Sequence, residues 1–290
     1  MRLRIVAAAL LLAATAAGAQ TRMDRGMKFE KTASFRVYSL AGTVRIIGWN
    51  RDSLHVRGSI AKGDEFHMGG SANGAKMFVE NADERNPRDA VIEVFAPVRA
   101  KIWVKTASGS VTVSSFLGGL DIYTVSGAIT VTGNPDDMNA EAIDGNIRIS
   151  GSPRFVRAKS ASGRVEFSGN CDDGTLSTVS GAVTVEHGRF ERARIESVTG
   201  PIRFEGSLVS GGSAVFDTHS GVTEIAMPKS ADIDISLVTI AGKISNTLTS
   251  SRPIPGRYGR GGELTTTNGE GGAQLTAKSF KGNIMLKSSK

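Results

Sequence analysis

The side chains able to do chemistry are few and do not converge. Four histidines occur, His55, His67, His187 and His219. None has a second His or a Cys at the spacing of a metal site, so each reads as a surface or turn residue. The acidic pairs Asp136-Asp137 and Asp172-Asp173 stand two repeats apart, with Arg154 in the column between them. A calcium site draws on more oxygen ligands and a defining loop. Neither the EF-hand loop nor a Gly/Asp calcium repeat occurs, and these acids read as a charge-balanced turn face. Cys171 is the only cysteine; it cannot form an intramolecular disulfide and reads as a small, semi-apolar turn residue. The Gly-x-Ser-x-Gly elbow of Ser hydrolases is missing. The acids and bases that a polysaccharide lyase or hydrolase needs in one groove are not visible as a cluster. No catalytic, cofactor-binding or metal-binding residue is therefore assigned, and no cofactor is expected.

The elements that would position any site are set by a repeat. Ser108-Gly109-Ser110-Val111 recurs as Ser126-Gly127-Ala128-Ile129, Asp144-Gly145-Asn146-Ile147, Ser162-Gly163-Arg164-Val165 and Ser180-Gly181-Ala182-Val183, each eighteen residues after the last. Looser copies stand at Gly42, Gly200, Gly221, Gly242 and Gly282. One apolar column reads Val111, Ile129, Ile147, Val165, Val183; another, two residues on, reads Val113, Val131, Ile149, Phe167, Val185. Polar residues alternate with both, the period-two signature of strands. A lone repeat cannot bury these columns, whereas stacking buries them. The expectation is an all-β parallel β-solenoid with coils of about eighteen residues, of either hand. The glycine is expected to supply positive φ at a tight corner. Stacking pairs Arg148 with Glu166 and Glu141 with Lys159. A hexapeptide β-helix is excluded, because the series Val111, Leu117, Tyr123, Ile129, Pro135 does not stay aliphatic.

The ends and composition bound the location. Arg2 and Arg4, the apolar run Ile5 to Ala17, and Ala17-Gly18-Ala19 form the three-part layout of a signal peptide cleaved near Ala19. The run is too short to span a bilayer. Residues 1–19 are expected to be this leader, 20–27 a flexible N-terminus, and 28–290 a single domain. Within it, 28–100 read as irregular opening coils with loops at 61–75 and 81–90, 101–248 as regular repeats, 249–273 as a Gly-rich loop and 274–290 as closing strands. The formal net charge is +7, but Lys and Arg are interleaved with Asp and Glu. That suits a solvated surface and not a nucleic-acid footprint, which needs a clustered stripe. No later segment is long and apolar enough for a transmembrane helix. The expected location is extracytoplasmic: periplasmic, cell-surface or secreted.

Gly42-Thr43-Val44-Arg45-Ile46 with Trp49-Asn50-Arg51-Asp52 resembles the opening motif of the bacterial putative-adhesin domain family, exported β-solenoid domains of unknown function. Val94-Phe95-Ala96-Pro97 leading to Lys105-Thr106-Ala107-Ser108-Gly109, and Ile225-Ala226-Met227-Pro228 with Ala241-Gly242-Lys243-Ile244, are similar to its later motifs. These motifs are architectural, and the resemblance implies no site residues. It implies a non-catalytic adhesin-like binding or structural module whose partner is an extracellular glycan or a cell-surface protein. The alternative is a carbohydrate-active enzyme, a polysaccharide lyase or hydrolase, on the same scaffold.

Overall fold

The computed structural model describes residues 20–256 and 259–289; the expected leader, 1–19, lies outside them. The opening segment supplies β1 (Gln20–Lys28), β2 (Ser34–Ser39), β3 (Gly42–Trp49), β4 (Ser53–Ala61), β5 (Glu65–Ser71), β6 (Gly74–Glu80) and β7 (Ala90–Pro97). The repeats supply β8 (Lys101–Thr106), β9 (Ser110–Ser114), β10 (Gly119–Thr124), β11 (Ile129–Thr132), β12 (Asp137–Ala142), β13 (Ile147–Gly151) and β14 (Phe155–Ser160). Three long strands follow: β15 (Val165–Thr178), β16 (Val183–Ser197) and β17 (Ile202–Thr218). The last are β18 (Thr223–Met227), β19 (Ile233–Thr239), β20 (Ile244–Asn246), β21 (Ile254–Pro255), β22 (Gly262–Asn268), β23 (Ala273–Ser279) and β24 (Ile284–Ser288).

The fold is all-β, but the expected parallel β-solenoid is overturned. The 24 strands form one mixed sheet that wraps a single core and nearly closes on itself as a barrel-shaped wall. Antiparallel pairs β1–β4, β4–β7 and β5–β6 stand at one end, β19–β22 and β21–β22 at the other. Alternation marks a strand but not its direction. Direction follows the connection, and a short turn permits only antiparallel neighbours. Ala72 and Asn73 alone link β5 to β6, so the expected loop 61–75 folds as a hairpin. Residues 20–28, expected to be flexible in large part, pair as β1 along β4, and the expected loop 249–273 supplies β21 and β22.

Between the ends, neighbours pair in parallel. One wall runs β6, β2, β8, β10, β12, β14 and on to the second half of β15; the other runs β7, β3, β9, β11, β13 and the first half of β15. Ile102, Leu120, Met138 and Val156 point inward from the first wall, and Val111, Ile129, Ile147 and Val165 from the second. Both sets meet in one core, and the polar residues between them face out. That outward alternation makes the first wall a platform for side chains.

The glycine column answers to packing, not to positive φ. None of Gly109, Gly127, Gly145, Gly163 and Gly181 has a left-handed backbone. A β-carbon at Gly145 would lie 2.0 Å from the Gly127 carbonyl oxygen, and one at Gly163 the same distance from that of Gly145. Positive φ instead marks a second column, Gly133, Gly151 and Gly169. Beneath most corners lies a buried hydroxyl that alternation alone does not flag; at the Gly145 corner Ala142 takes its place. The Gly127 N–H donates to Thr124 Oγ1 at 2.9 Å, Gly163 to Ser160 Oγ at 3.0 Å and Gly181 to Thr178 Oγ1 at 3.0 Å. Outside most corners the chain turns through an apolar residue; at the Gly221 corner it turns through His219. Val125, Ile143, Val179 and Val198, then Phe280 and Ile240 further on, form an exposed ridge, with Ile143 53% and Ile240 59% exposed.

Candidate functional site

The site is built on the outer face of β2, β8, β10 and β12. Parallel register aligns Arg36 with Trp103, Trp103 with Asp121, and Asp121 with Asn139. One step along the strands, Tyr38 aligns with Lys105, Lys105 with Tyr123, and Tyr123 with Glu141. The Tyr38 and Trp103 rings meet at 4.9 Å between centroids, and Trp103 and Tyr123 at 6.0 Å. All three are half-buried. They are not core residues; the alternation places them outside, where most positions carry polar side chains. Aromatic rings in such a place present an apolar face with polar groups in reach.

A groove of about 890 Å³ lies against Tyr38 and Trp103 of this row; Tyr123 stands beside it. Tyr38, Trp103, Arg36, Lys101 and Arg99 line it on one side, and Asp121, Asp136, Asp137 and Asn139 on the other. Asn139 Nδ2 donates to Asp121 Oδ1 at 3.0 Å and to Tyr123 Oη at 3.2 Å, which ties the acidic side to the aromatic row. Asn139 Oδ1 is left without a partner. Burial, the charges of Asp121 and Glu141, and a hydrogen bond with Asp121 raise the Tyr123 pKa against a smaller opposing effect of Asn139, so the phenol stays neutral. The groove thus offers apolar ring faces, cationic donors and anionic acceptors together. That set fits a ligand carrying both C–H faces and many hydroxyls.

Other residues weighed from the sequence fall elsewhere. Arg154 Nε pairs with Asp136 Oδ1 at 3.0 Å, while Asp173 pairs with Arg192 at 3.0 Å; these acids are charge-balanced within the wall. Arg148 and Glu166 form the expected pair at 2.6 Å. Glu141 and Lys159 are register neighbours without an ion pair among the described residues. Cys171 is buried, and burial first, with Asp172 and Asp173 nearby, pushes its thiol pKa up to about 12. It is a core residue within β15, not the turn residue expected. His55 contacts Asp24 at 2.7 Å, and His219 stacks on Phe280. His67 lies on β5 between Glu65 and Glu80. The aromatic row escaped the sequence reading because Tyr38 belongs to the irregular opening, and only the β2–β8 pairing brings it to Trp103.

No helix among the described residues is long and apolar enough to cross a membrane. No protein-family model matches the chain, and no curated protein matches it. Among solved structures it is similar to a putative adhesin from Parabacteroides distasonis, with 10% identity, 93% of this chain and 98% of that one covered, and a TM-score of 0.46. A putative adhesin from Bacteroides fragilis gives 12% identity, the same coverages and a TM-score of 0.43. A putative lipid binding protein from Parabacteroides distasonis gives 15% identity, coverages of 92% and 95%, and a TM-score of 0.37.

Proposed function

We propose that this chain is an exported, non-catalytic binding module of the putative-adhesin type, and that it holds an extended glycan in the groove lined by Tyr38 and Trp103, with Tyr123 extending the aromatic row beside it. The observation that carries the reading is the aromatic row itself, three rings on the outer face of a sheet whose core does not need them. Sugar rings stack their C–H faces on such side chains, and the flanking groups take the hydroxyls. Arg36 and Lys101 donate; Asp121 and Asp137 accept. Charges of both signs in one groove favour a neutral polymer over a polyanion, because a polyanion would meet the three aspartates.

Those aspartates also favour a second reading, that of a polysaccharide hydrolase or lyase. Glycoside hydrolysis uses two carboxyl groups, one of them held protonated as the acid. Asp136 is engaged in an ion pair with Arg154. Asp121 is engaged by the Asn139 amide, so neither of these two carboxyl groups stands in the groove without a partner. Binding without cleavage is therefore the preferred reading. The test is an array of cell-wall and extracellular glycans probed with the chain from Gln20, with product analysis of every polymer bound. Saturable binding with the polymer intact supports the module; shortened chains select the enzyme; an array without a hit rejects the glycan.

A further inference from the structure

The hairpin β5–β6 brings three side chains together. Glu65 and Glu80 are direct cross-strand partners, and His67 lies two residues along β5 on the same face, opposite Phe78. One ligand atom from each of Glu65, His67 and Glu80 lies within 4.8 Å of the others. His67 Nε2 stands 3.2 Å from Glu80 Oε2 and 3.5 Å from Glu65 Oε2. It nevertheless makes no hydrogen bond, and the atom is shielded from solvent. His55 is the contrast, since its Nε2 is hydrogen-bonded to Asp24 at 2.7 Å.

We infer that Glu65, His67 and Glu80 form a divalent transition-metal site, suited to Zn²⁺. The argument is geometric. Donors about 2.0–2.1 Å from a tetrahedral Zn²⁺ are separated from one another by about 3.3 Å. The two histidine–carboxylate separations bracket that value, although the direction of Nε2 is wrong for a hydrogen bond. The ligand chemistry agrees. One imidazole and two carboxylates suit zinc, whereas calcium takes oxygen ligands alone. The ring is held in place before any ion arrives: His67 stacks on Phe78 at 4.5 Å with an interplanar angle of 18°. Three protein ligands leave a fourth position for water.

The location gives the ion a mechanical role. Among the described residues β5 pairs with β6 alone, so the hairpin's outer strand is held from one side. A metal bridging Glu65 and His67 on β5 to Glu80 on β6 would clip that strand to the sheet. This inference does not depend on the glycan reading.

The test is calorimetric titration of the chelator-treated chain from Gln20 with Zn²⁺ at pH 7.5, beside thermal unfolding with and without the ion. The expected result is one equivalent bound by the wild type and a rise of several degrees in Tm. His67→Ala is expected to lose both, and Glu80→Gln to weaken binding by at least tenfold, while both variants keep the metal-free Tm of the wild type within about 2 °C. Ca²⁺ at the same concentration is expected to produce no shift. Absence of zinc binding by the wild type, full retention by His67→Ala, or equal binding of Ca²⁺ each overturns the assignment.

Discussion

A β-carbon on Gly127 would stand 2.0 Å from the carbonyl oxygen of Gly109, closer than any real contact. The two glycines are equivalent positions of successive repeats, and the backbones touch where a side chain would otherwise project. Gly127→Ala is therefore expected to lower stability by about 3 kcal/mol, at the upper end of overpacking costs. Gly109→Ala, whose β-carbon would meet its nearest neighbour at 3.4 Å, is expected to cost less than about 1 kcal/mol. Urea unfolding midpoints of the two variants check the difference; equal losses would refute the packing account.

The buried hydroxyl under the Gly181 corner gives a second prediction. Thr178 Oγ1 accepts from the Gly181 N–H at 3.0 Å and shares its own proton between the Ala161 and Gly163 carbonyls at 3.3 and 3.4 Å. Thr178→Val keeps the shape and removes these bonds, leaving a buried N–H unpaired. The expected loss is about 1–2 kcal/mol, measured by chemical denaturation. Thr178→Ser should recover most of it.

Cys171 is expected to be chemically silent in the folded protein. With its thiol raised to about 12 by burial, almost no thiolate exists at pH 8. Maleimide or iodoacetamide labelling should be slow in buffer and fast in denaturant. Rapid native labelling or a disulfide-linked dimer would contradict this environment.

Asp64 should govern part of the acid sensitivity. Its side chain is 1% exposed and accepts from Arg88 Nη2 at 2.8 Å, Asn81 Nδ2 at 3.1 Å and the Ala82 N–H at 3.0 Å. Burial alone would raise its pKa, but these hydrogen bonds and the Arg88 charge outweigh burial and hold it below the ordinary value. A carboxyl with a depressed folded pKa contributes stability above its unfolded value, about 3.9. That contribution is lost as pH falls through the folded value. Asp64→Asn is expected to cost about 2 kcal/mol at pH 7 and to flatten the fall in stability below pH 4. Thermal unfolding from pH 2.5 to 7 measures both.

Trp103→Ala tests the groove. Removal of a central aromatic anchor is expected to weaken glycan affinity by at least tenfold, with Tyr38→Ala and Tyr123→Ala following in the same direction. Circular dichroism should stay unchanged, because the ring faces outward. A variant that binds as tightly as the wild type would move the site elsewhere.

How far these features were legible in the sequence depends on how local their causes are. Val111, Ile129, Ile147, Val165 and Val183 announce an inward column, and they do lie side by side. Direction and closure were not legible, since the antiparallel pairs of β1, β4 and β7 depend on which strands meet in space. The hydroxyl series was obscured by Ala142, which interrupts Thr124 and Ser160 in their shared column. The groove and the Glu65, His67 and Glu80 cluster needed cross-strand registers that no spacing along the chain reports.

The apolar ridge of Val125, Ile143, Val179, Val198, Phe280 and Ile240 has a consequence for handling the protein. Hydration of exposed apolar side chains is penalised by strongly excluded salts such as sulfate, and within this ridge His219 is the one polar corner, between Val198 and Phe280. Salting-out should therefore begin at lower ammonium sulfate than the overall composition suggests. Replacing Ile143 and Val179 by threonine should raise the threshold without touching the core.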